Sequence, residues 1–152
     1  MRLAILIVGA QNSGKTTTIK HLIRSYNGRT LKVMKAGWKD IFLNPLFKSL
    51  KLNFYCIPAS PTETDFKLSL RCANWFPEVM VIAEQTSGAN YADTINFLIT
   101  NGYTILRYDI INSNGTLDWE RFNSSDMNLK LDNRANQIVV EIKNFLKSNG
   151  II

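Results

Sequence analysis

Residues 3 to 18 read LAILIVGAQNSGKTTT, and this stretch limits the fold of the 152-residue chain more tightly than any other. Leu3 to Val8 is a short, partly β-branched apolar run closed by Gly9, the pattern of a strand buried on both faces. Beyond it Ile19, Leu22, Ile23 and Tyr26 recur at i, i+3, i+4 and i+7, so a helix starts near Lys15 and buries one stripe. Between strand and helix stand two glycines, a lysine and a threonine hydroxyl: Gly9, four residues, Gly14, Lys15, Thr16. Glycines at that spacing let backbone N–H groups curl around an anion, and the helix start adds its free N–H groups and positive dipole end. Phosphate is the anion this combination suits. The plain alternative is a strand-to-helix turn that uses glycine for tightness and leaves Lys15 in water.

GAQNSGKT satisfies G-x-x-x-x-G-K-[ST], and the stretch resembles the Walker A loop of the P-loop NTPase superfamily. The resemblance implies an α/β fold, a three-layer sandwich around a mostly parallel sheet of about five strands, and a site for ATP with Mg²⁺. It implies that Gly9, Ala10, Gln11, Asn12, Ser13 and Gly14 wrap the phosphates, with Thr17 beside them. Lys15 then reaches the β- and γ-phosphates as a catalytic residue, and Thr16 offers its hydroxyl to the metal.

The rest of the chain agrees with an α/β reading. Leu31 to Ala36 and Phe54 to Ile57 read as strands, and Asn44-Pro45 as the cap of a short helix through Leu50. Ser60-Pro61-Thr62-Glu63 is a capping box opening a helix whose Phe66, Leu70 and Ala73 share a face. VMVIA at 79–83 is a second uninterrupted apolar run, expected beside the first strand. A helix over Asp93 to Thr100, a strand over Tyr103 to Ile111 and a long final helix capped by Asp132 complete the alternation. Alternating strands and helices predict parallel pairing through right-handed crossovers, with ligands at the carboxyl edge of the sheet.

The length fits one domain, and no apolar run reaches transmembrane length. Cys56 and Cys72 lack metal-ligand spacing and His21 is the sole histidine, so both thiols are expected reduced and buried and a zinc site has too few ligands. With no secretory leader pattern, a cytoplasmic location is expected. The formal charge of +6 suits an acidic partner. Lys32, Lys35, Lys39, Lys48 and Lys51, interleaved with Trp38, Phe42, Phe47 and Phe54, fit either a nucleic-acid surface or a segment with its aromatics in the core and its lysines in water.

Two carboxylates are candidates for chemistry beside Lys15. Glu84 ends VMVIAE as the acid of a Walker B strand would, which makes it a candidate metal ligand or base; a strand-ending glutamate in solvent is the alternative. Asp40 lies in WKDIFLNP, which is similar to the D-x-F-x-x-P segment of uridine kinase-like and nicotinamide riboside kinase-like proteins. That similarity implies service to an acceptor hydroxyl. Glu63 and Asp65 lie nearby, but capping already accounts for Glu63. Among Arg71, Arg107, Arg121 and Arg134, Arg121 in the polar segment 112–128 is expected to meet the nucleotide, with that segment acting as a flap. A guanine-reading N-K-x-D motif is absent, which favours ATP. The expected function is phosphotransfer at the β–γ bond to a small-molecule or nucleoside acceptor. The alternative is an ATPase or switch with a protein or nucleic-acid partner; no motif marks nucleic acid, and no membrane association is expected.

Overall fold

The computed structural model describes residues 1–10, 13–111, 115–116 and 122–152. Its strands are β1 (Leu3–Val8), β2 (Gly37–Asn44), β3 (Ser49–Ile57), β4 (Val79–Glu84) and β5 (Thr104–Asp109). Its helices are α1 (Lys15–Asn27), α2 (Pro61–Thr64), α3 (Leu68–Arg71), α4 (Ala89–Thr100) and α5 (Met127–Ser148). The five strands form one sheet in the order β2-β3-β4-β1-β5. β1 pairs in parallel with β4 and β5, β3 pairs in parallel with β4, and β2 with β3 is antiparallel. The expected five-stranded, mostly parallel sheet is therefore present, with one antiparallel pair at its edge.

The two apolar runs lie side by side because each is buried on both faces, and all six residues of β1 and of β4 are buried. Alternate residues feed two cores. Ile5 and Ile7 meet Ile19 and Leu22 of α1 and Ile138 and Ile142 of α5; Leu6 and Val8 meet Leu68 of α3 and Leu98 of α4. Helices thus cover both faces of the central strands. Because β1, β3, β4 and β5 run the same way, Val8, Ile57, Glu84 and Asp109 end on one edge, with Val8 opposite both Glu84 and Asp109.

The structure corrects several expected elements. Leu31 to Ala36 is irregular; the strand is β2, whose Ile41 and Leu43 alternate into the core. Asn44-Pro45 opens a single 3₁₀ turn, Pro45–Phe47, which is the loop of a β2–β3 hairpin rather than a helix. The helix predicted after Ser60 is broken in two at Asp65, whose φ of 51° is left-handed, so Leu68 and Cys72 are buried while Phe66 and Leu70 are exposed. α4 and α5 begin earlier than predicted, and Asp132 lies inside α5, where its carboxylate meets His21 Nδ1 at 3.1 Å. Cys56 and Cys72 are free and buried, as expected.

Candidate functional site

Gly9 follows β1, and its N–H donates to Glu84 O, so the loop starts from the backbone of the central strand pair. A Cβ on Gly9 would collide with the Ser13 side chain and stand 3.3 Å from Ile110 Cβ. Only glycine lets the chain close back this tightly. Gly14 precedes α1 with φ 89°, and a Cβ there would lie 3.3 Å from an Arg134 nitrogen. Among the described residues no side chain caps α1, whose N-cap is Gly14, so the N–H groups of its first turn are left to the loop. The Ser13 hydroxyl is buried and has no hydrogen-bond partner among the described residues. These features suit an anion seated on the loop.

Lys15 is 5% exposed and its ammonium turns back over the loop. Nζ donates to Gly9 O at 3.1 Å, Ala10 O at 2.9 Å and Glu63 Oε1 at 3.0 Å. Gln85 Nε2 donates to the same Glu63 oxygen at 3.2 Å. Glu63 is thus a carboxylate at the lysine, carried by the short α2. In the capping box, Ser60 Oγ accepts from the N–H groups of Thr62 and Glu63, which leaves the Glu63 side chain to reach Lys15.

Thr16 Oγ1 donates to Pro58 O at 2.8 Å. With its proton so engaged, the hydroxyl keeps lone pairs for a cation. Thr18 Oγ1 donates to Gly14 O, and Arg134 Nη1 reaches both Ser13 O and Thr18 Oγ1 at 3.3 Å. Arg134 also lies over the Phe122 ring, 4.7 Å from its centroid. It is the guanidinium that α5 brings to the loop. Gln11, Asn12 and Arg121 lie outside the described residues, as do residues 112–114 and 117–121 of the segment expected to form a flap.

Glu84 stands at the expected strand end but not in solvent. It is fully buried; Oε1 accepts from Ser60 Oγ (2.6 Å), Thr62 Oγ1 (2.7 Å), Gln85 N (2.9 Å) and Thr62 N (3.4 Å), and Oε2 from Thr94 Oγ1 (2.8 Å). Both oxygens thus accept from donors of the fold, Oε1 from four and Oε2 from one. Asp40 is elsewhere. It lies on edge strand β2, bonded to Asn27 Nδ2 at 3.1 Å and paired with Lys51 at 3.3 Å. Asn27 is the last residue of α1, about 18 Å of helix from Lys15 at 1.5 Å per residue. Asp40 is thus at the far end of α1 from Lys15.

Beside the loop, the end of β5 and α5 enclose an open cleft of about 530 Å³, with Tyr108, Asp109, Phe122, Arg134 and Glu141 in its walls. Burial, helped by the Asp109 charge, raises the Glu141 carboxyl above its ordinary range. On the far side of the sheet, Trp38 is 57% and Trp75 38% exposed, and both meet Tyr55 edge to face, with centroids 5.7 and 4.6 Å from it. Of the aromatics interleaved with lysine, Phe54 is in the core, while Trp38 and Phe47 face solvent.

Among the described residues no group of three or more His, Cys, Asp or Glu could hold a metal ion, and no helix is long and apolar enough to cross a membrane. Comparisons with protein-family models, with curated proteins and with solved structures found no match.

Proposed function

We propose that this protein binds a nucleoside triphosphate, ATP in the first instance, with Mg²⁺ and acts on its β–γ phosphate bond. The observation that carries the reading is the loop itself. It closes at the carboxyl end of a central parallel strand, admits no side chain at Gly9, takes a left-handed turn at Gly14, and holds a buried lysine and a buried serine hydroxyl over a helix start; among the described residues the hydroxyl has no partner and the helix start no side-chain cap. Mg²⁺ takes most of its ligands from phosphate and water, so the Thr16 hydroxyl is a sufficient protein ligand. Bound there, the ion would neutralise charge on the β- and γ-oxygens. Arg134 would steady the loop from α5, and the cleft beside it is of the size that holds a nucleoside.

Phosphotransfer to a small acceptor and hydrolysis for a partner both use such a site. With Asp40 remote, transfer lacks the base the sequence suggested for it. The exposed Trp38 and Trp75 about the half-buried Tyr55 favour the second reading, because bases of a single strand stack on exposed aromatic faces and the chain carries a charge of +6.

Calorimetric titration with ATP and Mg²⁺ tests the binding. Lys15→Ala is expected to weaken it by about tenfold to a hundredfold, the worth of one charge-assisted hydrogen bond to phosphate. Equal affinity of the two proteins, or no binding by either, sinks the proposal. Turnover assayed with a panel of nucleosides and separately with oligonucleotide then divides the two readings; stimulation by oligonucleotide has to fall steeply with salt.

A further inference from the structure

We infer that Glu63 is a built-in competitor for the phosphate-binding lysine: its carboxylate holds the Lys15 ammonium, and an arriving phosphate must displace it. The inference rests on the reading of the loop as a phosphate site and goes beyond it by assigning a control residue that the loop motif does not contain.

An ammonium has three N–H donors. Those of Lys15 already meet Gly9 O, Ala10 O and Glu63 Oε1, all within 3.1 Å. A phosphate oxygen therefore gains the lysine only by replacing one acceptor. The two carbonyls are backbone of the loop that must itself receive the phosphate. Glu63 differs from them in two ways. It is a side chain, 29% exposed, on a helix of four residues, and it carries the same sign of charge as the incoming group. Two anions cannot share one lysine without repelling each other, so the carboxylate is the partner that leaves. Its departure also changes α2. That helix is held from the Glu84 side through Ser60 and Thr62 and from the loop side through Glu63, and displacement releases the second hold while leaving the first. Gln85, which donates to Glu63 in the same arrangement, loses that acceptor as well.

The probe is inorganic tripolyphosphate, with Mg·ATP in parallel, titrated calorimetrically into the wild type, Glu63→Gln, Glu63→Asp and Lys15→Ala, each first checked for a cooperative unfolding transition. Glu63→Gln weakens the internal competitor at constant shape and is expected to tighten binding about two- to fivefold, the upper range of a partly exposed ion pair. Glu63→Asp keeps the charge but withdraws it from Lys15 by one methylene, and it is expected to tighten binding as well. A residue with a merely structural role would weaken binding when replaced. Unchanged or weaker binding by Glu63→Gln overturns the inference. Tightening by Glu63→Gln with wild-type affinity in Glu63→Asp also overturns it, in favour of general charge repulsion. Absence of binding by all four proteins, or equal binding by Lys15→Ala and wild type, instead overturns the phosphate reading on which the inference stands.

Discussion

Four donors converge on one oxygen of Glu84 and a fifth takes the other, all at the point where β4 ends against α2 and α4. Truncation to alanine would leave the Ser60 and Thr62 hydroxyls and the Gln85 N–H short of an acceptor, with Ser60 fully buried, while Thr94 keeps Asn90 O. Each buried group so stranded costs about 1–3 kcal/mol, so Glu84→Ala is expected to lose about 3–5 kcal/mol in urea denaturation. Glu84→Gln keeps four of the contacts and is expected to lose about 1–2 kcal/mol. A loss within about 0.5 kcal/mol for alanine, the mark of an ordinary surface position, would refute the network's structural role. The same residues show what sequence could and could not deliver. Gly9, Gly14 and Lys15 were legible because their geometry is set within eight consecutive positions. Glu63 and Arg134 were present in the string, yet the groups they meet lie 48 and 121 residues away. No local spacing encodes such a meeting, and the capping box offered Glu63 a sufficient local role that its side chain does not take.

At the scale of elements, the two uninterrupted apolar runs were readable since a strand buried on both faces has no alternative periodicity. The β2–β3 hairpin was misread because Asn44-Pro45 is a helix-start signal locally, and only pairing with β3 turns it into a hairpin loop. The loop retains a mark of this compromise: Lys48 and Leu50 have φ of 46° and 56°, the left-handed region that costs a side-chain-bearing residue about 1–2 kcal/mol. Lys48 is exposed and closes the 3₁₀ turn by donating its N–H to Pro45 O. Lys48→Gly is therefore expected to raise stability by about 0.5–1 kcal/mol, after the greater unfolded-state freedom of glycine is subtracted. A lower urea midpoint for this variant would show that the tip is held by contacts of the lysine itself. The break at Asp65 belongs to the same class, where tertiary packing of Leu68 and Cys72 overrides a helical pattern that would have buried Phe66 and Leu70.

The molecule as a whole has a built-in limit in alkali. Burial pushes the Cys56 thiol up to about 12, with Lys39 opposing only in part, and the Cys72 thiol up to about 11. In the unfolded chain a thiol ionises near ~8.5. Between that value and the folded one the native state binds more protons than the unfolded state, so stability is full below about pH 8.5 and falls as pH rises, by up to about 1.4 kcal/mol per unit for each such group. The urea midpoint is expected to drop between pH 9 and 11 and to drop less steeply in Cys56→Ala; identical slopes would refute the assignment. The strand order bears on how such a molecule is made. Of the five strands β1 is synthesised before the others, yet its partners on either side are β4 and β5. At about 5–20 residues per second, the roughly seventy residues between Val8 and Val79 take about 4–14 s to synthesise. Through that interval LAILIV, uncharged and suited to cross-chain pairing, waits for its neighbours. Of the five strands, the one that leads into the Gly9–Gly14 loop is made earliest and enclosed late, so its apolar edges stay open longest during synthesis.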